Sequence, residues 1–177
     1  MVEPTKSSTK PAVLRLAAIS CVKIAGRPRI SPDNGPLPTA PLHCSEIDGF
    51  AVMRVWPDAW LLSSDTLTPS ILLARAEELA DRSASLVVDV SDFYEAFDIE
   101  GRAARDVIAS GCAVDFETST PPMATAARLS HFDVIIIFRA PERFRVLIAR
   151  SYADDLEEWL IRAAKYAHMP DSNGATQ

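Results

Sequence analysis

Apolar residues recur along this chain at two spacings, an alternation typical of strands and a longer period typical of helices. The alternating segments predict strands at 13–20, 50–56, 59–63, 85–90, 94–99, 124–130, 133–139 and 143–149. The helical segments predict helices at 69–82, at 101–110 and after Ser151. Strand pairs separated by helices, with connections too short for repeated parallel crossovers, indicate an α+β fold with a largely antiparallel sheet.

Residues that start or stop helices set the predicted boundaries. Thr68 is a natural N-cap for the first helix, with Pro69 at the first helical position. Gly111 is placed to close the second helix as a C-cap. In the last helix Asp154 stands three residues after Ser151, the spacing of a capping box. The stripes predicted to face the core are Leu72, Ala76, Leu79 and Ala80 in the first helix, and Leu156, Trp159, Leu160, Ala163 and Ala167 in the last.

The patterned part of the chain is predicted to be a single domain at 13–168. The polar segments 1–12 and 169–177 are predicted to be flexible tails. The segment 27–41 contains five prolines and reads as a long loop within the domain, because strand patterns lie close on both sides.

Composition and charge narrow the classes of function. The chain has 177 residues, a formal net charge of −6 and no run of Lys and Arg, so nucleic acid is not expected as a partner. Cys21, Cys44 and Cys112 are too widely spaced for a C-x-x-C zinc site or a disulfide framework, which favours reduced thiols in a cytoplasmic protein. The apolar run at 134–138 is too short to cross a bilayer, and Arg15 interrupts the apolar stretch near the N-terminus, which argues against a signal peptide.

An acidic segment, VVDVSDFYEAFDIE at 87–100, is the first candidate for a chemical site. Its carboxylates are Asp89, Asp92, Glu95, Asp98 and Glu100. A calcium loop is excluded, because aromatic residues and alanine stand where an EF-hand needs oxygen ligands. On a strand that starts near Phe93, Glu95 faces away from Asp98 and Glu100, so the acids do not converge. We therefore interpret them as part of a sheet with one apolar face and one wet face.

Asp89 has two interpretations. It ends the apolar strand segment 86–88, and Ser91 follows at the start of a turn. As a buried carboxylate it would serve proton transfer or hold an amine ligand. As a turn residue it would accept hydrogen bonds from nearby backbone N–H groups. The sequence offers Asp89 no visible partner, which favours the turn.

The remaining candidates are isolated from one another. His43 and Cys44 are neighbours in a predicted loop, whereas a nucleophile and its base normally meet across a fold, so a boundary position is expected. His131 and His168 have no companion ligands at metal spacing. The tryptophans expected to pack in the core or in a subunit interface are Trp56, Trp60 and Trp159. The residues alone therefore predict no catalytic, cofactor-binding or metal-binding site on this chain.

Four stretches in order carry a resemblance to a known family. They are VWPDAWLLSS at 55–64, VVDVSDFYEAFDIEGRAARDVIASGCAVDF at 87–116, ATAARLSHFDVIIIFR at 124–139 and FRVLIARSYADDLEEWLIRAA at 144–164. Together they resemble the gamma subunit of heterotetrameric sarcosine oxidase, and more distantly the folate-binding domain of the glycine-cleavage aminomethyltransferase. The signature positions, to which we assign structural roles, are Trp56, Pro57, Asp58, Trp60, Asp89, Ser91, Gly101, Arg105, Gly111, Asp115, Arg150 and Ser151. Trp56 and Ala59 depart from the family, in which a glycine and a glutamate would stand.

The resemblance implies an accessory, non-catalytic subunit of a complex. That complex oxidatively demethylates sarcosine to glycine, releases hydrogen peroxide and transfers the one-carbon unit to tetrahydrofolate. The implied partners are alpha, beta and delta subunits, which would hold FAD, FMN, NAD, zinc and tetrahydrofolate, with no cofactor on this chain. Three alternatives stay open: the small subunit of a related enzyme such as N-methylglutamate dehydrogenase, a stand-alone folate-binding protein, and an independent enzyme that uses Asp89 and Asp92.

Overall fold

A computed structural model describes residues 11–28, 37–38 and 42–167, and the structural statements below concern these residues. Most of the two predicted tails, most of the proline-rich loop at 27–41, and His168 lie outside the described residues.

The strands of the described chain form two five-stranded sheets. Sheet I has the spatial order β1 (Ala12–Arg15), β7 (Tyr94–Glu100), β10 (Arg143–Ala149), β9 (Phe132–Ala140) and β8 (Met123–Leu129). Sheet II has the order β3 (Cys44–Ile47), β4 (Phe50–Trp56), β5 (Ala59–Ser64), β2 (Ser20–Pro28) and β6 (Ala80–Asp89). Each pairing between these strands is antiparallel, which confirms the predicted α+β fold class.

Helices cover the outer faces of the two sheets. They are α1 (Pro69–Leu79), α2 (Ala104–Ala109) and α3 (Ala153–Tyr166), with short 3-10 turns at Ser91–Phe93 and Arg150–Tyr152. Leu72 and Ala76 of α1 pack on sheet II, whereas α2 and α3 pack on sheet I. None of the helices in the described residues is long and apolar enough to span a membrane.

The inner faces of the two sheets pack on each other, so the molecule has four layers. The core between the sheets contains Cys21, Cys44, Met53 and Leu61 of sheet II and Ala96, Ala124, Ile135, Ile137 and Leu147 of sheet I. Strand β9 contributes to this core with Ile135 and Ile137, and to the helix-covered core with Val134, Ile136 and Phe138. Burial on both faces explains why β9 and β10 read as continuous apolar runs.

The structure corrects several predicted elements. The strand predicted at 13–20 is two strands, because the chain leaves sheet I after Arg15 and enters sheet II at Ser20. The rest of β2 and the whole of β3 were not predicted. Strand β2 is buried on both faces, so its sequence does not alternate between apolar and polar residues. The helix predicted at 69–82 ends at Leu79, and β6 begins at once with Ala80.

The predicted helix caps are positioned differently from expectation. Thr68 is the N-cap residue of α1, but its hydroxyl lies 3.1 Å from the Ser70 hydroxyl and caps no backbone group. The C-cap of α2 is Ser110 rather than Gly111, whose role is steric, since the Trp159 ring lies 2.7 Å from where a Cβ would be. Asp154 forms no capping hydrogen bond in the first turn of α3.

Candidate functional site

The acids of the candidate segment lie apart, and several contact separate cations. Glu95 lies 3.3 Å from Arg15 and 3.5 Å from Arg150, and Glu100 lies 2.8 Å from Arg143. Arg15 also binds Asp154 and Glu157 of α3 at 2.7 and 3.0 Å, which ties the first strand to the last helix. Exposed Asp92 lies 3.9 Å from the same Arg150, so Asp92 and Glu95 approach one cation, whereas the prediction that the acids do not converge is confirmed for Asp89, Asp98 and Glu100.

Asp89 is an exposed turn residue. Its Oδ1 accepts a hydrogen bond from the Ser91 N–H at 2.9 Å and one from the Ser91 hydroxyl at 2.6 Å. The same hydroxyl accepts the Cys21 N–H at 3.0 Å, so the turn is joined to β2. The structure thus confirms the turn interpretation of Asp89, and the alternative of a buried carboxylate is wrong.

The face of β7 that carries Tyr94, Ala96, Asp98 and Glu100 was predicted to be exposed to water. That prediction is wrong, because this face meets sheet II. On it, Asp98 binds Arg145 of β10 through two nearly parallel hydrogen bonds, Nε–Oδ1 at 2.6 Å and Nη2–Oδ2 at 2.8 Å. Arg145 is only 4% exposed, and its Nη2 also donates to Asp65 Oδ2 at 2.7 Å. Asp65 directly follows β5, so this network joins the two sheets across their inner core.

Arg145 and Asp65 stay charged because each stabilises the ionised form of the other. Burial lowers the pKa of Arg145, but the hydrogen bonds that it donates to Asp98 and Asp65 outweigh that effect and raise the pKa above its ordinary value. Burial likewise raises the pKa of Asp65, yet the hydrogen bond and charge of Arg145 bring it below its usual range. Bidentate geometry is the arrangement in which Arg binds a carboxylate most strongly.

A polar cleft of about 320 Å³ opens beside this network. Its walls come from the β3–β4 turn, the end of β5, β9 and Arg145, and its charged and hydroxyl side chains are those of Glu46, Asp48, Ser63, Ser64, Asp65, Thr66, Arg139 and Arg145. Arg139 binds Glu46 Oε1 at 3.2 Å. The polar cleft thus brings cations and carboxylates from both sheets to one place.

An aromatic cleft of about 980 Å³ lies along the inner face of sheet I. Its aromatic walls include Trp56, Phe93, Tyr94 and Tyr152, and small residues such as Ala126 line it as well. Phe93 and Tyr152 are 56% and 57% exposed, so two large rings face solvent at the edge of one cleft. Burial raises the pKa of Tyr94 to about 12, so its hydroxyl stays protonated at neutral pH.

The cysteine and histidine candidates in the described part of the chain do not form a catalytic pair or a metal site. Cys44 lies in β3 rather than in the predicted loop and is buried, while His43 is exposed beside it. Burial raises the pKa of Cys21 and of Cys44 to about 12, which makes both thiols poor nucleophiles. The described part of the chain contains no group of three His, Cys, Asp or Glu side chains that could hold a metal ion.

The signature positions are distributed over the fold rather than gathered in one pocket. Trp60 is buried and donates its Nε1–H to the Pro38 carbonyl at 2.8 Å. Asp115 accepts the Glu117 N–H at 2.8 Å and organises the loop after α2, where Arg105 binds Glu117 at 2.9 Å. The other positions lie in the β4–β5 turn, at Gly101 with φ +116°, and in the turns around Ser91 and Ser151. Their structural roles in the family stay a prediction.

Sequence reasoning missed the residues that build the polar cleft. Arg145 stands inside the apolar run of β10, where a charged residue is rare unless it is paired, and this was the available signal. Asp65 and Ser63 gave no signal, since Ser and Asp at the end of a strand are typical of ordinary turns. Only the packing of the two sheets brings these three residues together.

The chain resembles known proteins in its three-dimensional structure but not in its sequence. No family model matches the chain, and no curated protein matches it by sequence. Among solved structures, it is similar to a chain of the heterotetrameric sarcosine oxidase from Corynebacterium sp. U-96 in complex with pyrrole 2-carboxylate. That match has a TM-score of 0.77 at 19% identity and covers 93% of this chain and 89% of the other.

A second similar structure is the glycine cleavage system aminomethyltransferase T from Bartonella henselae. Its TM-score is 0.65 at 12% identity, with coverage of 88% of this chain and 46% of that protein. The chain therefore spans about half the length of the aminomethyltransferase. At these identities the likeness establishes the fold, and the chain has the aminomethyltransferase-like α+β fold that both structures share.

Proposed function

We propose that this chain is the accessory gamma-type subunit of a heterotetrameric amine-oxidising complex of the sarcosine oxidase kind. The observation that carries the proposal is the near-complete match in both directions, 93% of this chain to 89% of a chain from such a complex. The two chains are thus of comparable length. The aminomethyltransferase, in contrast, is matched over only 46% of its length.

The proposed complex removes the methyl group of sarcosine, or of a related N-methyl amino acid, by oxidation. We propose that alpha, beta and delta subunits hold the flavins, NAD, zinc and tetrahydrofolate, and that this chain stabilises the assembly. Several features of the chain support a role without chemistry. Asp89 is engaged in a turn, the paired acids of β7 serve as structural anchors, and Cys21 and Cys44 are buried with raised pKa values.

The aromatic cleft is the surface that we propose the larger subunit covers. Exposed Phe93 and Tyr152 stand beside half-buried Trp56 and Tyr94, and Lys23 places its Nζ 4.5 Å from the Trp56 ring. Tyr, Trp and Phe are the residues enriched at the centres of protein interfaces. Leaving two large rings exposed to water is unfavourable, and a partner subunit would remove that cost.

Copurification tests the proposed function directly. The chain, tagged at one end and expressed in its native cells, is expected to elute with larger chains that carry flavin absorbance. Gel filtration that yields only the free chain, with no larger partner at any salt concentration, would contradict the proposal.

A paired variant tests the aromatic cleft. Tyr152→Ser is expected to weaken copurification by roughly tenfold, because a central aromatic side chain in an interface commonly contributes more than 1 kcal/mol. The matched control is Ile161→Ser, which removes an apolar side chain of similar exposure, 56%, from α3. Equal yields of complex from the two variants would exclude the aromatic cleft as the contact.

A second candidate function is a stand-alone folate-binding protein. The fold shared with the aminomethyltransferase and the aromatic walls of a cleft of about 980 Å³ favour it. Calorimetric titration of the isolated chain with tetrahydrofolate separates the two candidates. Tight saturable binding supports the folate-binding protein, whereas the accessory subunit is expected to show none on its own.

A further inference from the structure

Two donor groups on nearly buried residues of the polar cleft have no partner among the residues that the structure describes. The Ser63 side chain is 3% exposed and forms no hydrogen bond with any described residue. Arg145 uses Nε and Nη2 on Asp98 and Asp65, while its Nη1 donates to none of the described residues. No polar side-chain atom of the described residues is both fully buried and without a partner, so these two groups keep some access to solvent, and both residues line the cleft.

Donors in this position favour an anionic oxygen as their ligand. Arg145 Nη1 carries two N–H groups on a charged guanidinium, and the Ser63 hydroxyl adds another donor. Hydrogen bonds from a cation to a carboxylate are roughly twice as strong as neutral ones, and the low solvent exposure of Arg145 and Ser63 strengthens them further. The inner part of the polar cleft is therefore suited to one carboxylate.

Carboxylates on the other walls favour a cation. Asp65 uses Oδ2 for Arg145 and Glu46 uses Oε1 for Arg139, which leaves Oδ1 and Oε2 outside those contacts. Asp48 lines the same cleft from the β3–β4 turn, where its φ of +43° and the following Gly49 give a tight reversal. With Asp98 included, four carboxylates face two guanidinium groups, so the walls carry an excess of negative charge.

These two preferences together select a ligand with both charges. A simple carboxylate would satisfy the inner donors but would be repelled by the excess of acids on the walls. A simple amine would satisfy the acids but would leave Arg145 Nη1 and Ser63 without an acceptor. A volume of about 320 Å³ lies at the lower end of small-molecule sites, which limits the ligand to a few heavy atoms.

We infer that the polar cleft is a binding site for a small zwitterionic amino acid. Its carboxylate lies on Arg145 Nη1 and the Ser63 hydroxyl, and its ammonium group lies among Asp48, Glu46 and Asp65. Because the ligand joins groups from both sheets, its occupancy is coupled to the packing of sheet I on sheet II. The site belongs to this chain alone and does not depend on the proposed role as a subunit.

Nuclear magnetic resonance titration of the full chain, labelled with nitrogen-15, tests the inference. Glycine is the probe, with sodium acetate and methylammonium chloride at equal ionic strength as single-charge controls. Glycine is expected to shift the amide signals of Gly49, Ser63 and Thr66 in a saturable manner. Acetate and methylammonium are each expected to bind at least roughly tenfold more weakly, the factor that one lost charge-assisted hydrogen bond commonly produces.

Two variants keep the test specific. Ser63→Ala retains the size of a small buried side chain and is expected to weaken glycine binding by roughly fivefold to tenfold, the effect of one lost hydrogen bond. Asp48→Asn retains the turn, since Asn tolerates positive φ, and is expected to weaken binding by a smaller factor. Ser119→Ala, in the loop that follows α2, is the control and is expected to bind glycine as the parent chain does.

Three outcomes would overturn the inference. They are equal responses to glycine, acetate and methylammonium, an unsaturable response to glycine, or unchanged glycine affinity in Ser63→Ala with an unchanged unfolding temperature. Copurification with larger subunits is measured separately, so failure of this site leaves the proposed function standing, and the reverse also holds.

Discussion

The two faces of sheet I are built from the same strands but from different kinds of side chain. The face covered by α2 and α3 presents Phe97, Ile99, Phe138 and Phe144, which are large, apolar and fully buried or nearly so. The face that meets sheet II is mixed, since it presents aliphatic Ile135, Ile137 and Leu147 together with the small Ala96 and the ion pair of Asp98 with Arg145. The helix-covered face is thus filled by aromatic and aliphatic side chains alone, whereas the inner face combines aliphatic packing with a buried ion pair.

The two faces also differ in what they contribute to the fold. Burial of aromatic rings on the helix-covered face stabilises the domain through the hydrophobic effect and ring contacts such as the stacking of Phe138 on Phe144, with centroids 4.8 Å apart. A buried ion pair contributes little net free energy, because desolvation offsets most of the attraction. The network of Arg145 instead joins sheet I to the end of β5 in sheet II, since Asp65 accepts its third hydrogen bond.

The largest effect is expected from the helix-covered face. Phe138→Ala removes a fully buried ring that contacts Phe116 and Phe144, and we expect a loss of about 4 kcal/mol in the free energy of unfolding. Urea denaturation followed by circular dichroism measures the loss. Phe93→Ala, at a ring that is 56% exposed, is the control and is expected to cost less than about 1 kcal/mol. Similar losses in both variants would remove the contrast between buried and exposed rings.

An intermediate effect is expected at the ion pair between the sheets. Asp98→Ala leaves Arg145 buried with Asp65 as its one remaining carboxylate partner, and we expect a loss of about 2 kcal/mol. Glu100→Ala is the matched control on the same strand, because its pair with Arg143 is exposed and is expected to contribute less than about 1 kcal/mol. If Asp98→Ala proved as mild as Glu100→Ala, the pairing across the inner core would not constrain the fold.

The smallest effect concerns the pH dependence of the same network. Burial raises and Arg145 lowers the pKa of Asp65, with a net decrease, so the ionised carboxylate stabilises the fold above its unfolded pKa of about 3.9. This stability is lost as the pH falls through the lower folded pKa. Because the Asp65 side chain is 37% exposed, solvent screening limits the effect to less than about 1 kcal/mol.

Asp65→Asn tests this pH dependence. The parent chain is expected to lose more stability than the variant between about pH 6 and about pH 2, as measured by urea denaturation at each pH. A steeper loss in Asp65→Asn than in the parent chain would show that Asp65 is not stabilised as a carboxylate by Arg145.

Sequence patterns predicted best those helices and strands whose boundaries depend on neighbouring residues in the chain. Strands β8 to β10 were predicted nearly to their ends, because hairpins are local features, and the start of the amphipathic α3 was predicted to within two residues of its position. The strand at 13–20 was predicted as one element, since nothing in its alternation marks where it passes from sheet I to sheet II. The helix at 69–82 was predicted too long, because Ala80 to Arg82 suit a helix and only pairing with β2 makes them a strand.

The amino-acid sequence by itself determined the α+β class, the antiparallel pairing of neighbouring strands and the dispersal of the acids along β7. It also determined the turn at Asp89, because Asp and Ser two residues apart form their hydrogen bonds within the turn. The tertiary structure alone decided that the second face of β7 is buried and that Asp98, Arg145 and Asp65 form one network. The physical reason is distance along the chain: Arg145 and Asp65 are 80 residues apart, and only the packing of sheet on sheet brings them together.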